Sequence, residues 1–274
     1  MGFTTPSYSL KDLFARAERG ELQLPDFQRE YIWDVDRIRT LVTSVLRGYP
    51  IGSFLALDTR GTPMRFRPRP LEGLEPSVKE PQPGLLLLDG QQRLTSLYHA
   101  FKGDGIVPTV DFLGRRIHRQ FFVDVRTAVS ADPMPVEAVF AVDEEGQIRS
   151  HFGPDIPEGI RNREDMLKHG VVPVSLLLWK EGNDLLLDMA ADAEDHEMRD
   201  AVKLFLNEVM RWMPAYDVPV IRIDRETSQI GVGQIFAHAN SAGVQMDVFE
   251  LLTAMFATQD PDFLLAEHWR GVEK

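Results

Sequence analysis

Apolar positions along the chain recur first at helical spacing and then in short unbroken runs. Leu10, Leu13, Phe14 and Ala17 fall three and four residues apart, which predicts a helix over Ser9–Arg19 that Gly20 stops. Val35, Ile38, Leu41, Val42, Val45 and Leu46 predict a second helix, from an Asp34 cap to Arg47, with Gly48 ending it. Pro50 and Gly52 then turn the chain into an apolar strand, Ser53–Leu57. Residues 58–84 are proline-rich with few apolar runs and read as a long loop or flap. Leu85–Leu88 has no polar position at all, the mark of a strand buried on both faces. Helical spacing resumes through Leu94, Leu97, Tyr98 and Phe101, predicting a helix over Gln91–Phe101. Arg119–Arg126 and Val136–Val142 read as strands, and Asp143–Gly146 as a turn into Gln147–His151.

Beyond residue 157 the pattern is mostly helical: one long segment over Asn183–Met213, a strand at Val218–Ile223, then helices at Ile230–Asn240 and Val248–Thr258. Strands early and helices late predict an α+β fold. The expected division is a mixed α/β core over residues 1–156 and a mostly helical subdomain over 157–274 that completes the same domain.

Composition narrows the function. The 274 residues are 43% hydrophobic and 26% charged, as in an ordinary globular protein with a sizeable core. The chain has no cysteine, which excludes disulfides, zinc–thiolate sites and thiol nucleophiles. No apolar stretch is long enough to span a bilayer, and Met1–Pro6 has no signal-peptide character, so a cytoplasmic location without a membrane partner is expected. The net charge of −12 is unevenly placed. Residues 1–126 carry 18 Lys/Arg against 15 Asp/Glu, and residues 127–274 carry 12 against 27. The acidic second part repels a polyanion, so any nucleic-acid contact is expected on the first.

Two short stretches carry candidate chemistry. After the four leucines come Asp89-Gly90-Gln91-Gln92-Arg93 and a helix start. A helix N-terminus offers unpaired N–H groups and a positive dipole end, a natural anion site. Arg93 adds a planar fork for phosphate oxygens, Gln91 and Gln92 add neutral donors and acceptors, and Asp89 could hold magnesium or act as a base. The same residues also fit a plain capped helix in which Arg93 pairs with Asp89 across the first turn. The second stretch, Leu24-Pro25-Asp26-Phe27-Gln28-Arg29-Glu30-Tyr31-Ile32-Trp33, sets Gln28 and Arg29 among large aromatics before the Asp34 cap. It reads as a pocket wall or as a hydrophobic staple on the following helix.

Arg60, Arg65, Arg67 and Arg69 make a basic cluster in the proline-rich loop, either a DNA-backbone contact shared with Arg115, Arg116 and Arg119 or a solvated loop. A P-loop string is absent, Gly231-Val232-Gly233 lacks the context of a dinucleotide fold, and the seven histidines show no zinc-hydrolase spacing. His238 and Glu250 fit helix-surface or supporting roles better than catalytic ones.

The two stretches, together with Arg47-Gly48-Tyr49-Pro50-Ile51-Gly52 and Ile235-Phe236-Ala237-His238-Ala239-Asn240-Ser241-Ala242-Gly243, resemble the N-terminal domain of GmrSD-type restriction proteins over roughly residues 8–258. Phosphorothioation-dependent phage-defence proteins belong to the same group. The resemblance implies a ParB/sulfiredoxin-like core that binds and hydrolyses a nucleoside triphosphate, GTP or ATP, with Mg2+. That turnover would be coupled to recognition or cleavage of foreign, often modified, DNA. It maps the catalytic motif onto Asp89, Gln91, Gln92 and Arg93. The nucleotide-binding set is Gln28, Arg29, Tyr31, Gly90, Thr95 and Asn240. Family members often carry an HNH-type nuclease domain, which this sequence does not display, so nuclease activity is expected from a further domain or a partner subunit. Two other readings stay open: a ParB-like domain that cuts DNA directly, and a non-catalytic module that binds DNA or a partner.

Overall fold

The computed structural model describes residues 2–26, 28, 30–60, 68–74, 83–150, 153–193, 195–227, 231–232 and 235. Within them the chain runs β1 (Phe3–Thr4), β2 (Ser7–Ser9), α1 (Leu10–Glu18), β3 (Leu22–Pro25), α2 (Val35–Leu46), β4 (Phe54–Asp58), β5 (Pro68–Arg69), β6 (Leu85–Asp89) and α3 (Gln91–Phe101). It continues as β7 (Val107–Val110), β8 (Arg116–Asp124), α4 (Val125–Ala128), β9 (Val139–Val142), α5 (Arg163–His169), β10 (Val171–Pro173), α6 (Lys180–Asp192), α7 (His196–Phe205) and β11 (Asp217–Ile223). The fold is α+β, as the spacing predicts. Two compact units share it, interleaved along the chain where the expected division is consecutive. One falls within Met1–Glu30, Gly52–Gln91 and Asp217–Lys274, the other within Tyr31–Ile51 and Gln92–Tyr216.

The first unit is built on a seven-stranded sheet in the order β1-β11-β4-β6-β3-β5, with β2 also on β11. The strand of leucines is central: β6 lies between antiparallel β4 and parallel β3, and Leu85–Leu88 are all buried. Strand pleating sends alternate residues to opposite faces. Leu55, Leu57, Leu86 and Leu88 therefore share one apolar cluster with Ile223 and Val232. β4 and β11 run parallel, pairing Leu57 with Ile223. Helix α1 forms as expected: Ser9 accepts from the Asp12 N–H at 3.2 Å, and Leu10, Leu13, Phe14 and Ala17 are its buried face.

The second unit holds a four-stranded antiparallel sheet, β10-β8-β7 with β9 also on β8. Its nine-residue strand β8 serves three partners: the first half forms a hairpin with β7, and the second pairs with β9 and β10. Asp34 caps α2 as predicted, accepting from the Arg37 N–H at 2.9 Å. The long helix expected over Asn183–Met213 is two helices. Ala193 is extended and Asp195 starts a new helix by accepting from the Met198 N–H at 2.6 Å, so a local cap overrides a continuous apolar spacing. Of the helices expected at Ile230–Asn240 and Val248–Thr258, only Gly231, Val232 and Ile235 are among the described residues, and they are helical. No helix among the described residues is long and apolar enough to cross a membrane.

Candidate functional site

In the first unit, the polar break after the leucines is set by one close contact. Gly90 has φ +99°, and a Cβ placed there would sit 2.3 Å from the Phe54 Cδ1. Only glycine supplies both this backbone and this space. The close approach expected of Gly90 is thus made to an aromatic ring of β4, and it lets the chain pass at once from β6 into α3. Asp89 is the last residue of β6, half-buried opposite Leu55, and Gln91 is buried at the first position of α3.

Gln28 reaches the same strand end. The ladder between β3 and β6 pairs Leu22 with Leu85 and Gln23 with Leu86. Past it, the Gln28 Nε2 donates to the carbonyls of Leu87 and Leu88, at 2.6 and 2.8 Å. Only an amide nitrogen can donate to two carbonyls, so the orientation of the side chain is fixed. Its Oε1 is then left buried with no hydrogen-bond partner among the described residues, on a side chain whose residue is 7% exposed. Native buried acceptors are rarely left so, and a ligand donor is one way to satisfy them. Arg69, grouped by sequence with the DNA contacts, donates from Nη2 to the Gln28 carbonyl at 2.9 Å. The structure therefore brings Gln28, Arg69, Asp89, Gly90 and Gln91 to one end of the sheet.

The remaining predicted residues of the motif lie in the second unit. Gln92 Oε1 accepts from the Ile32 N–H at 3.0 Å, and Arg93 donates from Nη1 to the Ile51 carbonyl at 2.7 Å. Tyr31 is buried with its hydroxyl 2.8 Å from the Ser96 Oγ. Burial lifts its phenol well above the ordinary value, against the opposing pull of Ser96, so it acts there as a neutral anchor. Thr95 is fully buried, its hydroxyl without a hydrogen-bond partner among the described residues. Arg29, Arg65, Arg67, His238, Asn240 and Glu250 lie outside the described residues.

Arg60 stands past the C-terminal end of β4, at the opposite end of the first unit's sheet from Asp89. Its Nε and Nη2 bond both oxygens of Asp58, at 3.0 and 2.6 Å, and Arg222 Nε lies 3.4 Å from the same carboxylate. Burial opposes ionisation of Asp58, but the side-chain and backbone hydrogen bonds from Arg60 outweigh it and hold the carboxyl below its ordinary value. With Arg225 these arginines line a groove of about 550 Å³. Sequence reading reaches Arg60 through its basic neighbours and misses Arg222 and Arg225, which are far away in the chain and join it only through the parallel pairing of β4 and β11.

With this geometry in view, the comparisons are specific. The model of the GmrSD restriction endonuclease N-terminal domain matches residues 10–257. The chain belongs to that family. The resemblance drawn from Asp89–Arg93 and its companion stretches is therefore correct at the level of the family. An uncharacterized protein of Methanocaldococcus jannaschii is similar as well, 35% identical over 127 residues, covering 45% of this chain and 21% of that protein. The match thus spans about a fifth of that relative's length.

Proposed function

We propose that this GmrSD-family chain binds and hydrolyses a nucleoside triphosphate, GTP or ATP, as the sensing component of an anti-phage restriction system. Its turnover is coupled to recognition or cleavage of foreign or modified DNA, and an HNH-type nuclease domain or subunit does the cutting. The observation that carries the nucleotide reading is the buried Oε1 of Gln28, without a partner among the described residues, at the strand end where Gly90 opens helix α3. A buried acceptor locked in place suits an amino or hydroxyl donor of a nucleotide. The Gln91 N–H, which opens α3, suits its phosphates.

In this reading Asp89 would hold a magnesium ion beside the phosphates, and the ion would supply the positive charge that offsets their oxygens. One carboxylate is a fitting donor set, because magnesium commonly takes one or two protein carboxylates beside substrate phosphates. Gln91 orients the attacking water. The oxygen of that water bonds to the terminal phosphorus as the bond to the bridging oxygen breaks. A nucleoside diphosphate and inorganic phosphate leave, and the water's proton passes to solvent or phosphate.

Phosphate release from GTP and from ATP, measured with and without DNA, tests the reading. Asp89→Asn and Gln28→Ala should abolish or strongly reduce turnover while circular dichroism stays native. Arg93→Ala asks whether the second half of the motif serves the same reaction, and the family resemblance implies that its turnover is lost. Full hydrolysis by a folded Asp89→Asn protein sinks the assignment.

A further inference from the structure

The hairpin of β7 and β8 ends in an apolar tip that the described residues leave exposed. Phe112 is 93% exposed and Leu113 is 62% exposed, side by side in the loop that joins the strands. Single exposed apolar side chains are ordinary, but two adjacent large ones on a rigid projection call for a reason. The projection is rigid. Asp111 Oδ1 accepts from the N–H groups of Leu113 and Arg115, both at 2.9 Å, and its Oδ2 accepts from the Arg115 Nε at 2.7 Å. Across the loop the Asp111 N–H donates to the Arg115 carbonyl, and the Gly114 N–H to the Asp111 carbonyl. Below the tip, Val110 N–H and the Thr109 hydroxyl both donate to the Trp33 carbonyl, so the strand is clamped one residue before the loop begins. The two apolar side chains are thus presented by a framework that does not need to order itself on binding.

Charge selects the partner. Residues 107–119 carry Arg115, Arg116 and Arg119 against one carboxylate, Asp111, in a chain whose net charge is −12. That carboxylate is bonded to Arg115. Farther down, Glu144 faces His118 at 3.5 Å. Arg116 and Arg119 sit on the strand that leaves the tip, three residues and about 10 Å apart and so on opposite faces of the ribbon. Arg116 is exposed, and Arg119 is half-buried in a groove that Asp143, Glu144 and Glu145 also line. A local cationic ribbon on an acidic protein fits a polyanion, and a two-stranded ribbon fits into a groove of duplex DNA. Apolar side chains at its end can enter between base pairs and unstack them, while arginines hold the flanking phosphates.

We propose that the β7–β8 hairpin is a DNA wedge: Phe112 and Leu113 insert into a base-pair step of duplex DNA, and Arg116 and Arg119 contact its backbone. The inference rests on the reading of the chain as part of a DNA restriction system, but not on nucleotide hydrolysis. The test therefore uses the full chain without any nucleotide, on a DNA duplex carrying 2-aminopurine at its centre. Wild-type protein should raise the 2-aminopurine fluorescence as the step unstacks. Phe112→Ala with Leu113→Ala should abolish that rise and weaken binding roughly ten-fold or more, and Phe112→Trp should keep it. Arg116→Ala with Arg119→Ala should lower the slope of log affinity against log salt by about 0.9 for each phosphate that is no longer neutralised. Both loop positions are exposed, so melting temperatures close to wild type confirm that the variants fold. Wild-type fluorescence and affinity in the folded double-alanine variant overturn the proposal. So does loss of a concentration-dependent self-association in that variant with DNA binding intact, which would assign the tip to a protein contact.

Discussion

Gly90 directly follows Asp89, the last residue of β6, and Gly114 comes three residues after Asp111, which follows β7; each takes positive φ, +99° and +76°. Their surroundings are opposite. A Cβ on Gly90 would meet the Phe54 ring at 2.3 Å, whereas one on Gly114 would meet nothing within 4 Å. The first turn is inward: Asp89-Gly90 closes a strand of buried leucines, and the amide of Gln28 covers the last carbonyls. The second is outward: Asp111 locks the loop from within, and Phe112, Leu113, Arg115 and Arg116 are exposed. The same local grammar of strand, aspartate and glycine thus makes a buried wall in one unit and a projecting tip in the other. The neighbours, supplied by distant parts of the chain, decide which.

The sharpest way to break this comparison is to give both glycines a methyl group. Gly90→Ala forces an unfavourable backbone and drives Cβ into an aromatic ring inside the core, so it should cost about 3–5 kcal/mol, combining backbone strain with overpacking. Gly114→Ala carries only the backbone penalty and should cost roughly 1–2 kcal/mol. Urea unfolding monitored by the tryptophans reads both. Equal losses in the two variants would show that the contact with Phe54 does not control the first turn.

Gln28→Met is the next largest effect. The substitution keeps the length of the side chain but removes both bonds to the carbonyls of Leu87 and Leu88, and should cost about 1–3 kcal/mol. It also removes the buried Oε1, so nucleotide affinity should fall further than stability does. Isothermal titration of the folded variant with GTP and ATP checks this. A variant that loses stability but binds nucleotide as well as wild type would make Gln28 a structural clamp only.

These effects also mark what the amino-acid pattern can disclose. Helices α1, α2 and α3 are legible because their caps, Ser9 and Asp34, and their apolar stripes act within a few residues. Asp89–Arg93 is legible because a polar string directly follows four leucines. The role of Gly90 is not, since Phe54 lies on another strand, and neither is the bond from Gln28 to residues 59 and 60 positions later. The grouping of Asp58 and Arg60 with Arg222 and Arg225 has no local signal for the same reason. Strands β1, β2 and β5 are two or three residues long, too short to show an alternation. The β7–β8 hairpin escapes notice because Val107-Pro108-Thr109-Val110 is brief, and Phe112-Leu113 reads as more core when it is in fact surface.

The smallest effect probes the outward turn through pH. The Arg115 backbone N–H is the main reason that the Asp111 carboxyl lies below its ordinary value; burial opposes it, and the Arg115 side chain and the Leu113 N–H add to the lowering. A carboxyl whose folded value is depressed contributes stability above its unfolded value, near pH 4, and loses it as the pH falls through the folded value. Hydrogen exchange of the Leu113 and Arg115 amides, followed by NMR during acid titration, should therefore show protection retained at pH 4 and lost only below it. Asp111→Asn should remove this pH dependence while leaving the Gln28 end untouched, because an uncharged amide clamps that end. Loss of hairpin protection already at pH 4 or above would mean that Asp111 does not lock the tip, and the two turns would no longer differ in how they are held.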